Sequence, residues 1–437
     1  MKFHQKLFFL LVLLLPLQIG RHFWSEWSYV MGLRVDYLSP TIYLTDILVF
    51  LVLGTWILDK FKIQNPCLAG RQAKSKITIK NSKFIFFLAS VFIFLLANCF
   101  FAKNQGAAVY KLVKIGEFSL LGFYVARNNY GLRIANCGLI WAVAYSSLLA
   151  TAQFIKQSSL GGIFWWLGER TFNAGTPGIA KTDFFGHLLL RPYATFPHPN
   201  VLAGFILVAF ILSASFVYQK NKLLFAFYFL ISTVTLFISF SQAAWLVGLL
   251  LGLGVLKNLK INRWLKGLVF GGAIFLLIFY LIKVPIFKEE SFSQRLELAK
   301  ISFQLIKQNP FVGVGLNNFI VNLPKFQQGQ ILWLQPVHNI YLLMVAETGL
   351  VGLVIFGWFL FLSYKKLLSC YARYLVISNK KRDIEISRYQ NSLFIALCAI
   401  LALGLFDHYW LTLQQTQLLF AIILGLIWKG KHDKMTL

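Results

Sequence analysis

Residues 191–218 open with Arg191-Pro192-Tyr193-Ala194-Thr195-Phe196-Pro197-His198-Pro199-Asn200 and continue without a charge from Val201 to Tyr218. About 20 such apolar residues cross a bilayer as a helix. Pro199 suits the first turn of that helix, because its missing N–H has no partner to lose there. Similar runs recur along the whole chain. They predict about twelve spans, near 5–20, 41–58, 84–102, 108–126, 134–155, 200–218, 223–238, 241–256, 264–283, 338–363, 391–408 and 411–428. Composition agrees: the 437 residues are 58 % hydrophobic and only 13 % charged, half the charge of an ordinary soluble domain. The fold class expected is all-α, a single polytopic membrane domain over 1–437.

The net charge of +27 is a topology signal rather than a nucleic-acid footprint. With the N-terminus inside, Lys60, Lys62, Arg71, Lys74, Lys76, Lys80 and Lys83 follow the second span. Lys257, Lys260, Arg263 and Lys266 follow the eighth. Lys365, Lys366, Arg373, Lys380, Lys381, Arg382 and Arg388 follow the tenth, and Lys429, Lys431 and Lys434 close the tail. Glu169, Asp183, Glu289, Glu290 and Glu297 fall on the other side. Basic inner loops place both termini in the cytoplasm. Lys2, Lys6 and the apolar run to Leu17 resemble a signal peptide, but no small-x-small site precedes Arg21, so the run counts as the first span. Cys67, Cys370, Cys99, Cys137 and Cys398 avoid the outer loops, and support neither a disulfide framework nor a CxxC metal site.

Two outer segments are long, about 157–199 and 284–337, and long ordered loops in compact domains tend to carry function. The first contains Gly161-Gly162-Ile163-Phe164-Trp165-Trp166-Leu167, an interfacial aromatic segment. Arg191, near its end, has no nearby carboxylate and suits an anion such as a phosphate oxygen pair; a guanidinium snorkelling to lipid headgroups fits equally. His198 and Asn200 read either as ligands or as caps of the helix that follows. In the second loop Ser291 and Gln294 form a capping box. Leu296, Ala299, Phe303 and Ile306 then follow at helical spacing until Asn309-Pro310. This amphipathic helix is expected to lie on the membrane apolar side down, with Arg295 in a first turn suited to phosphate or paired with Glu289 or Glu290. Gly313-Val314-Gly315-Leu316-Asn317-Asn318 lacks the strand and third glycine of a nucleotide loop.

Pro336-Val337-His338-Asn339 runs straight into an apolar helix that carries Glu347, Thr348 and Gly349. An ordinary histidine is partly neutral at physiological pH, so His338 is suited to accept a proton from a hydroxyl; helix capping is its other reading. Glu347 lies about 13 Å deeper and half a turn round, so it does not orient His338 directly. Asp407-His408-Tyr409-Trp410 forms a third polar cluster facing the same side.

Taken in order, Arg191 to Asn200, Arg295, Asn309-Pro310-Phe311-Val312-Gly313-Val314-Gly315, His338-Asn339-x-Tyr341 with Glu347-Thr348-Gly349, and Asp407-His408-Tyr409 with Thr412-Leu413-Gln414-Gln415 resemble the O-antigen ligase and polymerase superfamily. The strongest motifs cover about 190–355, within a catalytic core of 185–360. The resemblance implies a metal-independent, inverting glycosyltransferase of the bacterial inner membrane, with no cofactor. It would move a glycan from an undecaprenyl-diphosphate carrier to a glycan, lipid or protein hydroxyl on the extracytoplasmic side. Carried over, Arg191 and Arg295 would hold the diphosphate and His338 would be the general base. His198, Asn200, Asn339, Tyr341, Glu347, Asp407 and His408 would contact substrate. Members often place Ser-Arg-Gly between two middle spans, whereas this chain has Ser239-Phe240-Ser241-Gln242; Lys111 or Lys114 is a candidate replacement for the missing charge. Two other classes fit the same helices, a lipid-linked glycan flippase or other transporter, and a structural scaffold. A transporter would string polar residues through the midplane. Here they cluster at one surface.

Overall fold

The computed structural model describes residues 1–64, 82–128, 131–184, 186–258, 267, 271, 289–327, 333–377 and 381–429. Twelve long helices are found among them: α1 Phe3–Leu13, α2 Leu44–Gln64, α3 Ser82–Phe100, α4 Gln105–Arg127, α5 Gly131–Lys156, α6 Pro199–Lys220, α7 Lys222–Ile238, α8 Gln242–Asn258, α9 Glu289–Gln308, α10 Ile340–Ile377, α11 Lys381–Leu403 and α12 Gln414–Ile427. Eleven match expected spans in position, all but the amphipathic α9. The ninth expected span, 264–283, lies outside the described residues apart from Gly267 and Gly271, as do Arg71, Lys74, Lys76 and Lys80. By length and composition, Gly131–Lys156, Pro199–Lys220 and Ile340–Leu368 are long and apolar enough to cross a membrane. The first run is a shorter helix than expected. α1 stops at Leu13, about 16 Å of rise, and Gly20 already belongs to a strand.

The connections 14–43, 157–198 and 239–241, the described residues of 309–339, and 404–413 gather at one end. Long-range hydrogen bonds tie them there. Thr195 Oγ1 donates to the Pro16 carbonyl at 2.7 Å, Asn317 Nδ2 to the Tyr37 carbonyl at 2.9 Å, and Asn339 Nδ2 to the Leu405 carbonyl at 3.1 Å. This end carries the only sheet among the described residues, three two-stranded antiparallel ribbons. β1 (Gly20–His22) pairs with β4 (Thr41–Tyr43), β2 (Tyr29–Val30) with β3 (Leu33–Arg34), and β5 (Lys181–Phe184) with β6 (His187–Leu190). The ordered 14–43 connection is a third substantial loop where the sequence reading saw two.

α9 forms as a helix, but not in the manner expected. It is already helical at Glu289, ahead of Ser291, so Ser291 is not its cap and Arg295 sits beyond the first turn. Its buried stripe is Leu298, Ile301, Ser302 and Leu305, packed on a core with Val30, Leu38, Phe319, Val337 and Leu343. Of the stripe expected, Ala299 and Ile306 pack half-buried on the same core, while Leu296 and Phe303 remain exposed. The helix thus has two apolar faces. Protein packing claims the one with the 3/4 spacing that starts at Leu298.

The decisive joint is a break in α10. Gly349 has φ 66° and ψ −171°, in the left-handed half of the map that favours glycine. An unbroken helix would bond the N–H groups of Leu350 and Val351 to the carbonyls of Ala346 and Glu347. Instead Leu350 and Val351 donate to Pro310 and Phe311 at 2.8 and 3.2 Å, while the freed carbonyls of Ala346 and Glu347 accept from Val314 and Gly315 at 2.9 and 3.0 Å. The segment 310–315 is stitched into the helix, and all four orphaned groups regain partners. Asn98 Nδ2 adds a bond to the Val312 carbonyl at 2.8 Å. Gly313 (φ 69°) packs on the Glu347 backbone where a β-carbon would collide. This accounts for the spacing of Asn309-Pro310-Phe311-Val312-Gly313-Val314-Gly315 against Glu347-Thr348-Gly349.

Candidate active site

Pro199 takes the first turn of α6 as expected, and His198 is the cap: its Nδ1 accepts from the Asn200 N–H at 3.1 Å. The capping alternative therefore holds for His198. It does not hold for Asn200, whose Oδ1 accepts from Arg191 Nη2 at 2.6 Å and whose Nδ2 donates to Asp407 Oδ2 at 3.4 Å. Arg191 also donates through Nε to the Ser239 carbonyl at 2.7 Å. The guanidinium is therefore docked on the same turn that carries Gln242. Lys111 and Lys114 do not act at that turn. Lys114 is buried between Asp46 and Glu117, and Lys111 donates to the Leu411 carbonyl.

At the start of α10 the cap is Asn339, whose Oδ1 accepts from Tyr341 and Leu342 N–H at 2.9 and 3.0 Å. His338 is thereby relieved of capping, and its Nδ1 is buried with no hydrogen-bond partner. Tyr341 donates to the Leu401 carbonyl at 2.9 Å and so braces α10 on α11. The His338 ring meets His408 edge-on at 5.3 Å. His408 in turn meets Tyr37 at 5.5 Å and holds Thr412 Oγ1 from Nδ1 at 2.7 Å. Arg295 Nη1 donates to the Phe406 carbonyl at 3.2 Å, next to Asp407. The partners expected for it, Glu289 and Glu290, have side chains outside the described residues.

Glu347, like the Tyr341 hydroxyl, is set apart from the other predicted site residues. It is buried, accepts from the Phe319 N–H at 3.4 Å and faces Lys111 electrostatically, so it anchors the loop that follows the stitched break. The 14–43 loop is what sequence reasoning missed: it brings Tyr37 against His408. Its signal was only the ordinary turn chemistry of residues such as Ser39-Pro40.

The charges sort themselves by surroundings. Burial lowers the His338 pKa, with Arg295 adding to the effect and Asp407 opposing it. Burial and the Arg191 guanidinium push His198 down to about 3, and burial takes His408 to about 3. Burial would raise Asp407, but His408, His338 and Arg295 together outweigh it and hold the carboxyl below its ordinary value. At neutral pH the site contains neutral imidazoles, one carboxylate and two permanent guanidinium cations. His338, Asp407 and His408 also place ligand atoms within 4.8 Å of one another, the one group among the described residues arranged to hold a metal ion. The Arg295 cation at its edge opposes a second positive charge there.

Residues 227–357 match the family model described as O-antigen ligase. No curated protein matches the chain. The matched stretch includes Arg295, His338 and the stitched break; Arg191, His198, Asn200, Asp407 and His408 lie outside it and reach the same site through the fold. Over residues 227–357, under a third of its length, the chain is thus similar to the O-antigen ligase family.

Proposed function

We propose that the protein is a membrane glycosyltransferase that moves a glycan from an undecaprenyl-diphosphate carrier to an acceptor hydroxyl on the extracytoplasmic face, with both termini cytoplasmic. The observation that carries this reading is the meeting of Arg191, Arg295 and His338, from three distant segments, around Asp407. In this reading the acceptor hydroxyl gives its proton to an imidazole nitrogen of His338. Its oxygen attacks the anomeric carbon, and the bond from that carbon to the diphosphate oxygen breaks with inversion. Arg191 and Arg295 hold the departing diphosphate, and fixed cations in a dry site supply several kcal/mol of such stabilisation. Asp407 holds the imidazoles in place and balances the guanidinium charge. No metal enters the step, because the two arginines supply the positive charge.

The broken helix α10 favours one second reading, a transporter, since discontinuous helices are a transporter trait. There, however, freed backbone groups serve the substrate, whereas those at Gly349 are taken up by 310–315. The test is a reconstituted assay with undecaprenyl-diphosphate oligosaccharide and candidate acceptors, with and without chelator. Transfer by the wild type, loss in His338→Ala and indifference to chelator are expected. Equal transfer by both proteins would overturn the assignment of the base. Transport with no glycosidic product would overturn the enzyme.

A further inference from the structure

Behind the His408 ring lies a cavity of about 280 Å³ that the proposed transfer step does not use. It is bounded by the 14–43 loop, α4 and the Thr412–Gln417 turn. Thr412 and Tyr37, which grip His408 from this side, form its near wall. The volume falls just below the range of small-molecule sites, about 300–1,000 Å³, room for one ring rather than a chain.

The lining residues are of polar types apart from Pro197 and Leu413, and their apolar stems and rings share the wall with their polar atoms. Its polar groups are of two kinds. Some are saturated, as where Lys114 bonds Asp46 and Glu117, and Thr41 bonds His22 at 2.8 Å. Others are open: among the described residues no hydrogen bond uses the Asp36 carboxylate, the Gln18 amide or the Tyr37 hydroxyl, and Asn317 uses only Nδ2. Polar groups that line a cavity without partners are built for water or a ligand. These offer acceptors and donors together, beside the tyrosine rings of Tyr43 and Tyr110.

The charges argue against an anion. Lys111, Lys114 and Arg170 line the cavity. But Lys114 is shared by two carboxylates, Lys111 faces Glu347, and Asp36 adds an open negative charge. Mixed donors and acceptors, neutralised charge and aromatic faces match a polyhydroxylated ring. We propose that this cavity is a sugar subsite, which holds one pyranose ring of the glycan substrate behind the His408 wall. The identity of the ligand as part of the substrate rests on the glycan-transfer reading; the sugar-binding itself does not. The ring belongs either to the acceptor or to the donor glycan.

The test is saturation-transfer NMR on the full-length protein in detergent. The probes are the methyl glycosides of glucose, galactose, rhamnose and N-acetylglucosamine, with inorganic phosphate as the anionic competitor. The wild type should saturate at least one glycoside. Asp36→Asn, nearly isosteric and exposed, should weaken binding about tenfold, the scale of a hydrogen bond to a charged group; Gln18→Leu should weaken it less. His338→Ala should bind the glycoside as the wild type does, so failure of the transfer reading leaves this result standing. No saturation of any glycoside, equal saturation in the Asp36 and Gln18 variants, or displacement by phosphate would overturn the subsite. In a transfer assay with Asp36→Asn, a rise in acceptor KM alone assigns the ring to the acceptor and a rise in donor KM alone assigns it to the donor. Both values unchanged would also overturn it.

Discussion

Two buried polar clusters stand side by side in this molecule and are built on opposite plans. Around Lys114, two carboxylates and the Gln414 amide close on one another. The ammonium bonds Asp46 and Glu117, and Gln414 donates to Thr45 and Asp46, so that α2, α4 and α12 are fastened together. Around His338 the charges are as dense but the bonding is incomplete. Nδ1 of the ring has no partner, and among the described residues Arg295 makes one hydrogen bond, to a backbone carbonyl. A cluster whose charges pair with one another specifies helix positions, although Glu117 Oε1 is left without a partner. An unsaturated one, held by its neighbours, keeps bonding capacity for a substrate. The difference lies in who caps and pairs: Asn339 takes the cap of α10 and leaves His338 free, whereas nothing relieves Lys114.

The sharpest test of that contrast is to exchange failures between the two clusters. His338→Ala is expected to lower kcat about 10²- to 10⁴-fold, the usual worth of a general base, with an unchanged thermal unfolding profile. A matching loss of stability would place His338 with the structural cluster. Lys114→Met should do the reverse, since it leaves buried carboxylates uncompensated at a cost of about 3–5 kcal/mol. Its readout is the unfolding midpoint in detergent, and a stable Lys114→Met protein would break the comparison.

Gly349→Ala should cost about 1–3 kcal/mol, because alanine resists the left-handed conformation and its β-carbon would meet the Phe311 carbonyl. Accelerated hydrogen exchange should be confined to 310–319 and the start of α10. Protection left intact there would mean the stitch is not held by the break.

The smallest effect is a shift along the pH axis. His338 must be neutral to accept a proton, and its pKa lies below the ordinary value, so kcat/KM should hold to more acidic pH than an ordinary histidine allows. Asp407 opposes that lowering and Arg295 adds to it. The acid limb should therefore move further down in Asp407→Asn and up in Arg295→Gln, each by less than about one unit. Shifts of the same sign in both variants would refute the electrostatic account.

Much of the fold was legible from the chain, because apolar runs of lipid length admit few structures. The start of α6 at Pro199, the stop of α9 at Asn309-Pro310 and the separation of Glu347 from His338 all follow from local rules. The choice of face on α9 was not legible: Leu296, Ala299, Phe303 and Ile306 and the stripe from Leu298 are both helical in period, and only the neighbouring core distinguishes them. Nor was the duty of each candidate. His198 turned out to be a cap and His338 did not, although each stands just before an apolar helix and an asparagine.

The sequence by itself determined the class of molecule, the order of its helices and the residue types available for chemistry, because hydropathy, proline and charge act locally along the chain. Only the tertiary structure decided which of those residues meet. Arg191 is 48 residues from the Ser239 carbonyl it grips, and Asn200 is 207 from Asp407. Contacts of that span are set by how helices pack and where Gly349 lets a loop enter α10, and no periodicity along the chain encodes them.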